Sequence, residues 1–317
     1  MRVLVTGAAG FVGSWLVRGL VADGHTVFAA GQPGHAFPAD GEGAEWLAMD
    51  VTSAASVAEA VARAAPEAVY HLAGQASVGD SFHDPLGTWD VNATGTLRVA
   101  SALPEGARLL LVSSAEAYGA VPEEEQPITE ARPLRPCNPY AASKAAAEMA
   151  ALQAGESGGI QVVVARSFNH TGPGQDVRFA LASFARQLAI IRAGRAEPVL
   201  YVGNLSARRD LLDVRDVVRA YVRLMGSGAP GRVYNVCSGV ARSMREAVDE
   251  LVEISGTRAR VEVDPERVRP VDVPLLLGDN APLRGLGWTQ EIPFRQTLGD
   301  LLEWQAARLD TATQAAA

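Results

Sequence analysis

Short apolar runs and amphipathic stretches alternate along the first half of the chain. Strand-like runs occupy residues 2–6, 25–30, 68–73, 108–114 and 160–167, and helical spacing of apolar residues occupies 11–22, 53–65, 88–103 and 139–153. Strands that alternate with helices predict βαβ units, and therefore a doubly wound α/β fold on a parallel sheet. Ligands of such a fold bind at the carboxyl ends of the strands.

The alternation breaks down after about residue 167, where loops rich in glycine and proline appear. We therefore predict a dinucleotide-binding domain over residues 1–167, to which later segments return. Residues 168–317 are predicted to form mainly a smaller substrate-binding lobe. The alanine-rich end, residues 311–317, is expected to be either a frayed helix end or disordered.

Composition narrows the possible partners. The chain has 317 residues and a net charge of −8, which disfavours binding to nucleic acid or to anionic lipid. Its two cysteines, Cys137 and Cys237, form neither a disulfide framework nor a metal-type pair, so we predict no metal site and a reducing compartment. The N-terminus lacks the features of a signal peptide, and no apolar stretch is long enough for a membrane span. We expect a cytoplasmic protein whose anionic ligands need local basic residues.

A glycine-rich turn follows the first predicted strand and opens the first predicted helix. Its sequence spacing is GxxGxxG, and we predict that it holds a dinucleotide through Gly7, Gly10, Phe11, Val12 and Gly13. Glycines allow the backbone to turn tightly and to approach a pyrophosphate, whose charge is favoured at a helix N-terminus.

This spacing resembles that of the short-chain dehydrogenase/reductase family, and further motifs of its extended branch follow in order. The resemblance implies an adenine contact at Asp50 and Val51, cofactor contacts at Leu72, Ala73, Gly74 and Ser113, and a structural role for Asn92. It implies NAD or NADP as the cofactor. Residues 29–35 contain neither the acid that binds ribose hydroxyls nor an arginine for a 2′-phosphate, so the choice between the two stays open.

Tyr140 and Lys144 lie four residues apart on a predicted helix and therefore project from one face. A neighbouring ammonium favours the phenolate and is expected to lower the pKa of Tyr140, which would then exchange a proton with a substrate. Ser114, at a strand end, is predicted to bond the reacting oxygen, with Ser113 as the alternative for that role. Both lysine and tyrosine are also expected to contact the cofactor.

Three later stretches, residues 166–175, 202–217 and 269–279, resemble segments of nucleotide-sugar enzymes. The resemblance implies that Asn169, Asn204, Arg209 and Arg269 bind the nucleotide diphosphate, and guanidinium groups suit phosphate oxygens. The chain is most similar to GDP-4-keto-6-deoxy-D-mannose reductases and next to GDP-mannose 4,6-dehydratases. By that likeness it reduces the C4 ketone of a GDP-linked 4-keto-6-deoxyhexose and forms a homodimer.

Glu116 keeps other reactions open, because dehydratases of this family carry a carboxylate at that place to remove the C5 proton. Ala115 and the loop 172–175 favour the reductase instead. The alternatives are therefore a 4,6-dehydratase or a 4-epimerase and, from another class, a non-catalytic cofactor-binding regulator. The regulator is disfavoured because the serine, tyrosine and lysine are all present.

Overall fold

The protein is built around a parallel sheet. A computed structural model describes residues 1–34, 43–267 and 273–314, with side chains as far as residue 309. The strands in chain order are β1 (Arg2–Thr6), β2 (Thr26–Gly31), β3 (Glu45–Ala48), β4 (Ala68–His71), β5 (Arg108–Ser114), β6 (Gln161–Ser167), β7 (Asn169–Thr171), β8 (Val199–Val202), β9 (Arg208–Asp213), β10 (Val233–Val236), β11 (Ala241–Ser243), β12 (Arg260–Val263) and β13 (Leu275–Leu276).

Seven of these strands form the main sheet, in the order β3-β2-β1-β4-β5-β6-β10, and every neighbouring pair is parallel. The strand order reverses direction between β1 and β4, which is the switch point where ligands of doubly wound folds bind. The predicted doubly wound fold is confirmed.

Helices cover both faces of the sheet. They are α1 (Phe11–Ala22), α2 (Ala54–Ala64), α3 (Val78–His83), α4 (Pro85–Trp89), α5 (Gly95–Ala102), α6 (Pro139–Gly158), α7 (Ala180–Arg192), α8 (Val214–Ser227), α9 (Met244–Ser255), α10 (Ala281–Gly285) and α11 (Phe294–Gln314). Val3 and Val5 pack with α1 and α8, whereas Leu4 packs with α2, α5 and α6 on the other face. This alternation along β1 follows from the two-residue period of a strand.

The elements of the second half of the chain are divided between the main sheet and a second hydrophobic core. Helix α8 packs on α1, and β10 pairs with β6 from Val233 to Val236, so this segment returns to the main sheet. Helix α10 also packs on the main core through Leu283, whereas α7, α9 and α11 pack together in a second core around residues such as Leu188, Leu251 and Leu302. Two small sheets, β8 with β12 and β7, β11 and β13 around β9, belong to this region.

The predicted helix over residues 88–103 is interrupted. It consists of α4, a π-helical turn at Asp90–Thr94, and α5. The turn is stabilised because Thr96 Oγ1 donates to the Asn92 carbonyl at 2.6 Å, while the Asn92 side chain bonds residues outside the helix. π-Turns within helices are frequent at functional sites.

Candidate active site

The predicted cofactor and catalytic residues of the first half meet at one edge of the main sheet. The glycine turn follows β1, residues 72–75 follow β4, and Ser114 ends β5. Because parallel strands end at the same edge, these segments lie side by side. Helix α6 supplies Tyr140 and Lys144 at the same edge, and begins where Asn138 Oδ1 accepts a hydrogen bond from the Ala141 amide at 2.8 Å, with Pro139 in its first turn.

The glycine turn fits a dinucleotide. Gly7 has φ +68°, and a Cβ there would come within 2.7 Å of the Ala73 amide nitrogen; one at Gly13 would collide with the Gly7 carbonyl. Gly10 precedes α1, and no side chain of the described residues caps that end of the helix. The helix therefore offers its first-turn amides and its positive dipole end to a phosphate.

Tyr140 and Ser114 form the centre of the site. The Ser114 side chain lies near enough to the phenol of Tyr140 to affect its pKa, and both residues are buried. Burial raises the pKa of Tyr140 to about 12, Ser114 opposes that rise, and the negative Glu116 adds to it. The expected lowering of this pKa is thus wrong for the protein alone, since desolvation of the phenolate is the largest effect on it and raises it.

Lys144 lies on the same helix face as Tyr140. Its Nζ donates to the Val112 carbonyl at 3.0 Å, and a Cβ at Gly74 would be 3.3 Å from it. Burial lowers the pKa of Lys144 to about 8, and the nearby Glu148 carboxylate opposes that shift. The ammonium therefore faces the loop after β4, where the resemblance implied a cofactor.

Asn92 connects that loop to the catalytic helix. Its Oδ1 accepts from the Gln75 amide at 2.8 Å, and its Nδ2 donates to the Gln75 carbonyl at 3.1 Å and to Ser143 Oγ at 2.9 Å. Ser143 Oγ in turn donates to the Tyr140 carbonyl at 2.8 Å. One buried side chain thereby fixes the spacing between the loop after β4 and Tyr140.

A second buried chain of hydrogen bonds, which the sequence did not reveal, fixes the end of β4. The Ala73 amide donates to Thr6 Oγ1 at 3.1 Å, and Thr6 Oγ1 lies 2.7 Å from His71 Nδ1. His71 Nε2 lies 3.1 Å from Thr96 Oγ1, whose own proton goes to the Asn92 carbonyl. Burial lowers the pKa of His71 to about 3, so the ring is neutral, and Nε2 carries its proton because Thr96 Oγ1 can only accept.

Ser113 points away from Ser114, because successive strand residues alternate. Its hydroxyl donates to Glu148, which is fully buried and makes a bidentate ion pair with Arg166 at 2.6–3.0 Å. Arg166 also donates to the Tyr118 hydroxyl at 3.0 Å. The structure thus brings Ser114, and not Ser113, to Tyr140.

Asp50, Val51 and Glu116 are the remaining predicted site residues of the first half. Asp50 Oδ1 accepts from the Thr52 amide and hydroxyl, which lowers the pKa of Asp50, and Val51 is buried against Gly95. Glu116 is half-buried, receives a weak hydrogen bond from Asn138 Nδ2 at 3.4 Å, and lies close enough to Tyr140 to affect its pKa.

The predicted substrate residues are more exposed. Asn169 begins β7, directly after the strand that flanks Ser114. Asn204 closes a turn with Ser206, and Arg209 Nη1 donates to the Val273 carbonyl at 2.6 Å. Arg269 lies outside the described residues. The structure therefore does not bring Asn204 and Arg209 into the hydrogen-bonded cluster around Tyr140.

Two contacts that the sequence analysis did not predict hold β7 and the loop after it against α1. The rings of Phe11 and His170 stack with centroids 6.0 Å apart, and Trp15 Nε1 donates to the Pro173 carbonyl at 2.8 Å. Over the described residues, no cluster of His, Cys, Asp or Glu could hold a metal ion, and no helix is long and apolar enough to cross a membrane.

Comparisons with known proteins identify the family of the chain. A family model described as GDP-mannose 4,6 dehydratase matches residues 4–301. The chain is 39% identical to a GDP-6-deoxy-D-mannose reductase of Pseudomonas aeruginosa, over 96% of this chain and 97% of that one. It is 32% identical to a UDP-glucose 4-epimerase of Mycolicibacterium smegmatis, over 96% and 98%. The solved structure of RMD from Pseudomonas aeruginosa complexed with NADPH superposes with a TM-score of 0.84 at 37% identity, covering 96% and 97% of the two chains.

Proposed function

Because this chain belongs to the GDP-mannose 4,6-dehydratase family of NAD(P)-dependent extended short-chain dehydrogenase/reductases, we propose that it reduces the C4 ketone of a GDP-linked 4-keto-6-deoxyhexose. The observation that carries the proposal is the buried pair of Tyr140 and Ser114 beside a glycine turn built for a dinucleotide. The similarity to a GDP-6-deoxy-D-mannose reductase supports this reaction within the family.

The arrangement suits reduction because burial keeps Tyr140 protonated. A bound reduced nicotinamide supplies the hydride, and residues of the glycine turn, Asp50 and Lys144 would hold that cofactor. As the C4 carbonyl oxygen gains negative charge, the phenol Oη of Tyr140 transfers its proton to that oxygen. The Ser114 hydroxyl is positioned to hydrogen-bond the same oxygen. Lys144 holds positive charge near the phenolate that remains.

Asn169, Asn204, Arg209 and Arg269 are proposed to bind the GDP part of the substrate. Asn169 follows the carboxyl end of β6 by two residues. Its side chain is exposed, so a ligand can reach it. Arginine side chains suit the diphosphate because their N–H groups match phosphate oxygens in pairs. The cofactor is proposed to be NADPH or NADH, and a relative of this chain was solved with NADPH.

To test the reductase proposal, the purified protein is mixed with NADPH or NADH and a GDP-4-keto-6-deoxysugar. The absorbance of the reduced cofactor is then followed over time. We expect one cofactor molecule to be oxidised for each ketone reduced. No oxidation with either cofactor, although the protein binds them, would refute the reductase proposal.

A 4,6-dehydratase is the second candidate, and Glu116 is the observation that favours it. The Glu116 amide donates to Ser114 Oγ at 3.2 Å, so this residue lies next to the proposed reacting position. A carboxylate there is able to remove a proton next to a ketone. The control reaction uses GDP-mannose and a catalytic amount of oxidised cofactor. Conversion to the 4-keto-6-deoxy product, lost in Glu116→Gln, would replace the reductase proposal with the dehydratase.

The working form is proposed to be a homodimer. Three neighbouring helices, α4, α5 and α6, expose Leu86, Trp89, Leu97 and Met149, of which Leu86 is 82% accessible. A second copy of the chain would cover these side chains and remove their apolar surface from water. Light scattering should give a dimer mass for the wild type and a monomer mass for Leu97→Glu/Met149→Glu.

The compartment is proposed to be the cytoplasm. Both cysteines are free thiols, with Cys137 exposed and Cys237 buried. An exposed free thiol suits a reducing environment. Fractionation of cells that express the protein would test this, and recovery in a secreted fraction would contradict it.

A further inference from the structure

A cavity of about 770 Å³ lies between the outer face of α1, the loop 173–177, α7 and α11. It reaches the rim of the glycine turn at residues 9–11, but among the described residues its lining includes none of Ser114, Tyr140 and Lys144. A volume of this size fits a small-molecule ligand. Apart from Gly10 and Phe11, which the cofactor shares, the residues that line this cavity have no role in the reaction proposed above.

The cavity is cationic although the chain as a whole carries a net charge of −8. Arg18, Arg186 and Arg308 all line it. Within the described part of the chain, Arg186 and Arg308 have no carboxylate at ion-pair distance. Two guanidinium groups that line one cavity and form no ion pair with the described residues, those of Arg186 and Arg308, suit a phosphate-bearing anion.

One carboxylate, that of Asp176, also lines the cavity, but it already accepts hydrogen bonds from Arg178. Its Oδ1 accepts from the Arg178 amide at 2.8 Å and from Arg178 Nε at 3.2 Å, and these contacts lower the pKa of Asp176. The balance of charge at the cavity therefore stays positive.

One residue that lines the cavity has a buried side-chain amide that could donate a hydrogen bond to a ligand. Gln305 is only 2% exposed and lines the cavity, yet its Nε2 has no hydrogen-bond partner among the described residues. The nearby backbone is fixed, since Arg186 Nη1 contacts the Gln305 carbonyl at 3.4 Å. A buried amide donor without an acceptor is unfavourable, and an anionic oxygen in the cavity would satisfy it.

Two indole rings add a surface for a planar group. Arg18 stacks on Trp15 at 4.2 Å and Arg308 on Trp304 at 4.8 Å, so each ring has a guanidinium on one face. Trp15 is held in place by its bond to the Pro173 carbonyl. Cationic groups beside aromatic rings match a ligand that has both phosphates and a base.

We propose that this cavity binds a nucleoside diphosphate, as a site separate from the one that holds the sugar nucleotide for reduction. The phosphates contact Arg186, Arg308 and the Gln305 amide, and the base lies against the indole rings. Binding joins α1 of the main sheet to α7 and α11 of the second core.

The experiment titrates GDP into protein saturated with NADPH, by calorimetry, with inorganic pyrophosphate as a second probe. The test variant is Arg186→Gln/Arg308→Gln, and the control is Arg223→Gln/Arg258→Gln, which removes two exposed charges elsewhere. Each lost guanidinium–phosphate contact should weaken binding by at least about tenfold. Pyrophosphate should bind the same cavity more weakly than GDP, because it lacks a base.

We expect the wild type and the control to bind two GDP per chain and the test variant to bind one, with NADPH turnover unchanged in all three. One GDP in the wild type and none in the test variant would support the cavity and refute the GDP site of the proposed reaction. Equal GDP stoichiometry and affinity in the wild type and the test variant would overturn this inference, as would an absence of GDP binding.

Discussion

The carboxyl edge of the main sheet and the region of the predicted substrate residues are built in different ways. At the edge, Asn92 and His71 are buried and use their side-chain polar atoms in hydrogen bonds to fixed partners. In the second region, Asn169 and Asn204 are exposed. A site that must position a proton to within fractions of an ångström is rigid before its ligands arrive, whereas a site that binds a large substrate can be completed by that substrate.

The largest effect is expected for Tyr140→Phe, which removes the proposed proton donor but keeps the ring. Turnover should fall by roughly 10²–10⁴-fold, the usual contribution of general acid catalysis. The dissociation constant for NADPH should stay within about threefold, since the rigid edge is otherwise intact. Steady-state rates and fluorescence titration provide the measurements, and near-normal turnover would remove Tyr140 from the mechanism.

Glu148→Gln tests the rigidity of the edge directly. It leaves the buried Arg166 without its carboxylate, and breaking such a pair costs about 3–5 kcal/mol of the free energy of unfolding. Chemical denaturation should report this loss. The matched control is Glu303→Gln, whose partner Arg192 forms a surface ion pair worth at most about 1 kcal/mol. Equal losses in the two variants would contradict a rigid buried edge.

Arg209→Ala tests the open region. A charge-assisted contact with phosphate is worth roughly 1.5–3 kcal/mol, so KM for the nucleotide sugar should rise by at least about tenfold while the melting temperature changes little. Arg208→Ala is the neighbouring control, because Arg208 pairs with Glu123 instead. If neither variant changes KM, the diphosphate binds elsewhere.

The last effect concerns pH and Lys144. Burial lowers its pKa to about 8 in the folded protein, whereas the unfolded chain has the ordinary value near 10.4. Between these values the unfolded state binds more protons, so this residue makes stability rise with pH. Without cofactor, Lys144→Met should gain stability relative to the wild type below about pH 8, and the difference should shrink towards pH 10. Denaturation series at several pH values measure this, and a constant difference would contradict the buried ammonium.

The sequence predicted those features that depend on neighbours along the chain. The two-residue and helical periods identified β1, α1, β5 and β6, and the glycine spacing identified the turn that Gly7 and Gly13 make possible. The fold and the family are confirmed, and the roles assigned to Ser114, Tyr140 and Lys144 stay predictions that their placement supports.

The remaining features depend on residues far apart in sequence. Thr6 and His71 are 65 positions apart, and Asn92 and Ser143 are 51 apart, so no local pattern could link them. The raised pKa of Tyr140 follows from burial, which a spacing of four residues does not reveal. Helices α7, α9 and α11 were not predicted; they bury their apolar residues against one another in a core whose members are far apart in sequence.

The return of β10 to the main sheet has a consequence for synthesis on the ribosome. This edge strand pairs with β6, about seventy residues earlier, and α8 covers α1 from the opposite half of the chain. A nascent chain that has emerged as far as residue 167 therefore has an open sheet edge and an uncovered apolar face. We expect such a fragment to need a chaperone until residue 236 has emerged.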